Sequence, residues 1–215
     1  MEKDRKEWNK YRKLQLERPE EFEQSEALRI ELDEAIVEQY VDQYQVKLGV
    51  VYENEYSMLI VDLVRDEKGK LFPYQRLLSV QKSGMVVTIP RYNDKLVLLR
   101  QYRHALRAEQ YAFPRGFGTA GISSKENAAK ELREEIGAAV SRSVYMGSVV
   151  ADSGLSGSRV DVYLCDVEQV ELKYLYEGIK EVILLSEQEL LEWIANGKID
   201  DGFTLAAMML YQNKA

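Results

Sequence analysis

The chain has 215 residues, 46% of them hydrophobic, which is enough to bury a core in one domain with an extension or in two small domains. Its net charge of −7 argues against a protein that coats nucleic acid, but leaves room for a local basic pocket that holds phosphates. Without a long apolar run or a hydrophobic segment after Met1, it is expected to be cytoplasmic, with no membrane partner. Cys165, the only cysteine, is expected to be a small buried hydrophobe.

The first 43 residues are rich in charge, lack glycine and repeat their apolar residues at helical intervals. This stretch predicts two helical segments separated by Pro19, with apolar positions at Trp8, Tyr11, Leu14, Leu28, Leu32, Ile36 and Tyr40. We therefore expect residues 1–43 to be a helical extension that packs on the domain or on a second subunit.

From about residue 45 the apolar period changes to two, which predicts antiparallel strands over residues 44–84. A hairpin follows, with one strand from Met85 to Ile89, a turn at Tyr92, Asn93 and Asp94, and a return strand from Lys95 to Tyr102. These connections are too short for helical crossovers.

The stretch from Gly116 to Ala138 combines a glycine-rich loop with a short helix. Ser123 and Glu126 form a capping-box pattern that places the start of this helix. Spacings of three and four bring the three glutamates of the helix onto one face, beside an apolar stripe: Glu131, Glu134 and Glu135. Such an acidic face is mildly unfavourable unless water, a cation or basic side chains balance it.

The rest of the chain predicts more strands and two closing helices. The strands include RVDVYLCDV and EVILLS. One helix is capped by Ser186 with Glu189 and ended by Gly197, and another covers about 201–212. Strand runs interrupted by one helix and followed by two helices indicate a mixed or antiparallel sheet flanked by helices, an α/β (α+β) fold.

Gly116, Gly118 and Gly121 match the G-x-G-x-x-G pattern of dinucleotide-binding proteins. The context does not fit that class, because Pro114 interrupts the preceding run and the helix begins two residues after Gly121. The flanking elements also lack β-α-β alternation.

The same stretch resembles the box of the Nudix hydrolase family, G-x5-E-x7-R-E-U-x-E-E-x-G-U, where U is aliphatic. Gly116 takes the first position, and the chain departs from the pattern at Ile122 and Lys130, where the family has glutamate and arginine. The remaining fixed positions hold Glu131, Leu132, Glu134, Glu135, Gly137 and Ala138.

Outside the box, the segments LVLLRQYRHALRAEQYAFPRG, SGLSGSRVDVYLC and the closing helices resemble the ADP-ribose pyrophosphatase branch of that family. The resemblance implies a Nudix fold over residues 85–215, an α/β/α sandwich with a mixed sheet. It also implies that the strands in 44–84 help to form a homodimer.

The resemblance further implies site roles. Glu131 and Glu135 are expected to hold Mg²⁺ or Mn²⁺, with Glu134 as a third ligand or one that acts through water. The general base is expected to be Glu177 or Glu181. Two arginines, Arg103 and Arg115, and the adjoining Gly116 are expected to contact the substrate, whereas the lone His104 is expected to be structural.

The expected reaction is magnesium-dependent hydrolysis of a nucleoside diphosphate linked to another moiety, either ADP-ribose or a nucleotide-sugar. Lysine at position 130 lacks the planar fork of arginine, which loosens the bracing of the glutamates. The alternative is therefore a catalytically weak module that binds or senses nucleotides. A purely structural interaction protein is the third class.

Overall fold

The computed structural model describes residues 2–81, 84–171 and 178–214. The chain divides into two compact units: an N-terminal unit of residues 1–80 with 152–158, and a C-terminal unit of residues 81–151 with 159–215. No helix in the described ranges is both long and apolar enough to span a membrane.

The N-terminal unit is a four-stranded antiparallel sheet with two helices. Its elements are α1 (Glu2–Glu17), a 3-10 turn (Pro19–Phe22), β1 (Leu28–Ile30), α2 (Glu34–Tyr44), β2 (Gly49–Glu53), β3 (Ser57–Asp66) and β4 (Leu71–Ser79). Strand β3 is central and pairs with the other three strands. Tyr11, Phe22 and Ile60 belong to one of its buried clusters.

The helical prediction was wrong at Leu28–Ile30, which forms β1. Its backbone pairs with the edge of β3, with Ile30 opposite Val64. The next helix starts at Glu34 because the Asp33 carboxylate accepts hydrogen bonds from the first backbone amides of α2. The interval of four that suggested a continuous helix therefore crosses two different elements.

The C-terminal unit holds a seven-stranded mixed sheet and three helices. Its elements are β5 (Val86–Tyr92), β6 (Lys95–Arg103), β7 (Ala108–Ala112), β8 (Arg115–Gly116), α3 (Ser124–Ile136), β9 (Val140–Val149), β10 (Val160–Val167), β11 (Ile179–Leu185), α4 (Glu187–Ala195) and α5 (Gly202–Gln212). The main strand order is β11-β6-β5-β10-β9, and only the β5–β10 pair among these is parallel.

The predicted hairpin is confirmed, and its two strands separate beyond the turn. Asn93 and Asp94 adopt positive φ angles of 48° and 60°, as a two-residue hairpin turn requires. Strands β5 and β6 pair only next to this turn. Further along, β7 pairs with β6 and β8 pairs with β5. Segment 108–116 thus carries Arg115 and Gly116 into the sheet.

Alternating residues of the strands pack on opposite layers. Val97 and Leu99 of β6 share a buried cluster with Leu132 of α3. Leu98 belongs to a second cluster, which includes Leu190 of α4 and residues of α5. The mixed sheet therefore lies between α3 on one face and α4 with α5 on the other, which confirms the predicted α/β fold class.

Candidate functional site

The capping box predicted at the start of α3 is present. Ser123 Oγ accepts a hydrogen bond from Glu126 N at 3.2 Å, and Glu126 Oε2 accepts one from Ser123 N at 2.8 Å. One turn later the buried Asn127 amide donates to the carbonyl oxygens of Gly84 and Phe117, each at 2.8 Å. The glycine-rich loop is therefore fixed to the first turn of the helix that carries the glutamates.

Gly116 gives room to the first of those glutamates. A Cβ atom built on Gly116 would lie 2.0 Å from Glu131 Cδ and 2.3 Å from its Oε2. No side chain fits at position 116 while the Glu131 carboxylate keeps this place. Gly116 thus has a steric role toward a candidate metal ligand, and its contact with substrate stays a prediction.

Lys130 links two carboxylates of the acidic face. Its Nζ donates to Glu134 Oε2 at 2.8 Å and to Glu131 Oε1 at 3.4 Å. The hydrogen bond with Glu134 raises the pKa of Lys130, and the charge of Glu131 adds to this effect. The box position where the family has arginine is therefore filled by a cation that contacts two of the three glutamates.

The donor set of this face suits a divalent cation in kind. Within the described ranges, no three or more His, Cys, Asp or Glu side chains converge closely enough to hold a metal ion. Glu131 and Glu134 nevertheless face one common cationic group, the Lys130 ammonium. Carboxylate oxygens are the donors that magnesium prefers, so the side chains of this face are of the right chemical kind for Mg²⁺. Direct binding by all three glutamates stays a prediction.

Arg103, at the end of β6, interacts with three charged groups. Burial lowers its pKa and the Arg115 guanidinium lowers it further, whereas Asp201 and Glu135 act in the opposite direction. Glu135 itself is only 6% exposed. The predicted substrate arginine therefore interacts electrostatically with the acidic face of α3 and with a second charged pair, Arg115 with Asp201.

That second pair is held rigidly. Arg115 Nη1 lies 2.9 Å from Asp201 Oδ1, and its guanidinium lies 5.0 Å from the ring centroid of Phe203. Asp201 caps α5, because its Oδ2 accepts hydrogen bonds from Thr204 N and Thr204 Oγ1. Thr204 Oγ1 in turn accepts one from Phe113 N at 2.9 Å.

A cavity of about 580 Å³ opens beside these groups. Its lining consists of Arg103, His104, Ala105, Leu106, Gln110, Arg115, Val149, Val150, Ala151, Asp201, Gly202, Phe203 and Ala206. This volume falls within the usual range for small-molecule sites, which are mostly apolar with a few polar groups. The two predicted substrate arginines thus line the same cavity.

The two candidate bases differ in what the structure describes. Glu177 lies outside the described residues. Glu181 lies on β11 opposite Arg100, with Arg100 Nε 3.2 Å from Glu181 Oε2, and its side chain is about half exposed. A role for either residue as general base stays a prediction.

Sequence reasoning missed Asp201 and Phe203 as members of this site. Asp201 is separated from Arg115 by 86 positions, so no local spacing connects them. One signal was present, since aspartate three residues before Thr204 is a helix-capping pattern. That pattern predicts the start of α5 but not the ion pair.

The solved structures include one of similar fold, titled as the crystal structure of an ADP compounds hydrolase. The TM-score is 0.67, and the match covers 77% of this chain and 89% of that chain at 16% sequence identity. This likeness confirms the predicted fold class, and membership of the Nudix family stays a prediction. At this identity the likeness concerns the fold alone, and the ADP-ribose pyrophosphatase branch stays a prediction.

No family model matches the chain, and no curated protein is significantly similar to it. The candidate roles of the site residues are therefore supported by the geometry of the structure and not by sequence similarity.

Proposed function

We propose that this protein hydrolyses the diphosphate bond of a nucleoside diphosphate linked to another moiety, with Mg²⁺ or Mn²⁺ as cofactor. The proposal is carried by the position of Arg103. This residue lines a cavity of about 580 Å³ and interacts electrostatically with Glu135 on the acidic face of α3. A cationic group for phosphate and a carboxylate-rich helix for a metal ion are thus close together.

Each group has a task in this reaction. Diphosphate cleavage places negative charge beside the attacked phosphorus, and the Arg103 guanidinium can donate hydrogen bonds to the phosphate oxygens. Glu131 and Glu135 would hold the divalent ion, with Glu134 as a third ligand or one that acts through water. The bound ion would neutralise phosphate charge and lower the pKa of a coordinated water.

ADP-ribose and nucleotide-sugars are the proposed substrates. The solved structure of similar fold is titled an ADP compounds hydrolase, which supports a substrate with an ADP group. We also propose that the protein is cytoplasmic and forms a homodimer. Strands within residues 44–84 would contribute to the dimer interface.

The test is an assay of the purified chain with Mg²⁺ on ADP-ribose and a panel of nucleotide-sugars, with detection of both phosphorylated products. Glu135→Gln should lower turnover by about 10²-fold, equivalent to about 2.7 kcal/mol of transition-state stabilisation. Glu192→Gln, on α4, is the matched control and should behave as wild type. Absence of turnover on every compound would refute the proposal.

A nucleotide-binding or regulatory module is the second candidate function. The contacts of Lys130 with Glu131 and Glu134 favour it, because they place a positive charge where a divalent ion would bind. This function predicts that nucleotide ligands raise the thermal unfolding temperature while no product forms.

A further inference from the structure

The lining of the cavity beside Arg103 is of two chemical kinds. Its charged residues are Arg103, Arg115 and Asp201, and its apolar residues include Leu106, Val149, Val150, Phe203 and Ala206. A ligand that combines a charged group with a group that buries apolar area therefore suits this space.

Arg115 contributes a fixed planar surface more than a free charge. Its charge is compensated by Asp201 at 2.9 Å, and Asp201 is 5% exposed and held by its cap on α5. Phe203 lies behind the guanidinium at 5.0 Å from its ring centroid. A guanidinium plane supported in this way is a stacking surface for a planar ring, such as a nucleobase.

Arg103 differs from Arg115, because its positive charge is less completely compensated by hydrogen-bond acceptors in the described part of the chain. Its Nε is buried and makes no hydrogen bond to any group in the described part of the chain. The like charge of Arg115 repels it and lowers its pKa. An anion at this position would supply the missing acceptor and relieve that repulsion.

We propose that this cavity is the subsite for the nucleoside monophosphate half of the substrate. The phosphate binds at Arg103, and the base stacks on the Arg115 guanidinium that Phe203 supports. The proposal deepens the proposed function and rests on it for the role of the cavity in hydrolysis. Binding of the nucleotide to the cavity does not itself require catalysis, so the two can be tested separately.

Isothermal titration of AMP and of ribose 5-phosphate, both without metal, tests this subsite. The proteins are wild type, Phe203→Leu, Arg115→Lys and Met209→Ala. Leucine keeps apolar volume but removes the ring, whereas lysine keeps the ion pair with Asp201 but removes the plane. Met209 lies on the same helix, is 63% exposed and does not line the cavity, so its variant is the matched control.

Phe203→Leu and Arg115→Lys should each weaken AMP binding about fivefold or more, the loss expected for a stacked base. Both should bind ribose 5-phosphate within about twofold of wild type, and Met209→Ala should bind both ligands normally. Thermal unfolding of each variant checks that it is folded.

Three results would overturn the proposal: wild type that does not bind AMP, unchanged AMP affinity in both variants, or equal losses for AMP and ribose 5-phosphate. The substrate assay is run in parallel on wild type. Turnover together with one of these results removes the subsite and leaves the hydrolase. Selective loss of AMP binding without turnover removes the hydrolase and leaves a nucleotide subsite.

Discussion

The missing side chain at position 116 decides where the Glu131 carboxylate can lie. The backbone of Gly116 has an ordinary φ, so its value lies in the space it leaves. The obstacle to a larger residue is the far end of a flexible glutamate side chain, which can move at small cost. A substitution at this position can therefore change the geometry of the site while leaving the stability of the fold nearly unchanged.

Gly116→Ala should leave the free energy of unfolding nearly unchanged or raise it by about 0.4–1 kcal/mol, because alanine restricts the unfolded chain. It should lower magnesium-dependent turnover by about 10²-fold, since a shift of about 1 Å in a catalytic group has that effect. Urea unfolding and the hydrolysis assay measure the two quantities.

Gly157→Ala is the control for this change, because a Cβ at Gly157 meets no atom within 4 Å. It should change the free energy of unfolding by a similar small amount, for the same reason, and leave turnover unchanged. Full activity of Gly116→Ala would show that the position of the Glu131 carboxylate is unimportant for turnover.

Lys130 gives the departure from the Nudix pattern a physical meaning at the residue scale. An arginine offers a planar fork, whereas the lysine ammonium is a point charge with rotatable donors. Here that charge lies within 3.4 Å of carboxylate oxygens from both Glu131 and Glu134. The substitution therefore keeps the neutralisation of the acidic face and gives up two-pronged geometry.

At the scale of elements, α3 and α4 begin with the same device. Ser123 with Glu126 and Ser186 with Glu189 form complete capping boxes with closely similar hydrogen-bond lengths. Only α3 carries the acidic face. Removing the serine cap from α3 and from α4 therefore compares a local change that affects the candidate site with the same change where no site is present.

Ser123→Ala and Ser186→Ala should each lower the free energy of unfolding by about 1 kcal/mol, the usual cost of a lost helix cap. Only Ser123→Ala should also lower magnesium-dependent turnover, because fraying at its start frees the helix that holds the glutamates. Urea midpoints and the hydrolysis assay test this. Equal activities of the two variants would contradict the link between the cap and the site.

The pH dependence of this cap follows from Glu126. The Ser123 backbone N–H, followed by its hydroxyl, lowers the pKa of Glu126. A lowered folded-state pKa adds stability above the unfolded-state pKa, and this is lost as the pH falls through the folded-state value. The stability difference between wild type and Ser123→Ala should therefore narrow in the acid range.

The elements that the sequence predicted correctly are those fixed by neighbouring residues. Both capping boxes and the Asn93-Asp94 turn need only contacts within three or four positions. Strand β1 was missed because its partner is β3, more than 30 positions away. The Arg115–Asp201 pair was missed for the same reason, since it forms only when β8 and the start of α5 meet.

At the scale of the whole chain, the net charge of −7 does not describe how charged side chains are arranged within either unit. The C-terminal unit places Arg103 and Arg115 at a cavity. The N-terminal unit buries charged side chains in a hydrogen-bonded network around Asp62, which is 1% exposed. Tyr11 donates to Asp62, and Arg76 Nε donates to the same carboxylate at 2.6 Å. Burial and the Asp62 charge raise the pKa of Tyr11, so it stays a neutral donor.

Asp62→Ala should lower the free energy of unfolding of the N-terminal unit by about 3–5 kcal/mol, because the mostly buried Arg76 cation is left without its main partner. Trp8 stacks on Tyr11 at 4.9 Å, so its fluorescence in a Trp193→Phe background follows this core during urea unfolding. Glu53→Ala removes an exposed pair with Lys10 and should cost at most about 1 kcal/mol. Equal shifts in the two variants would mean that the network does not hold the unit together.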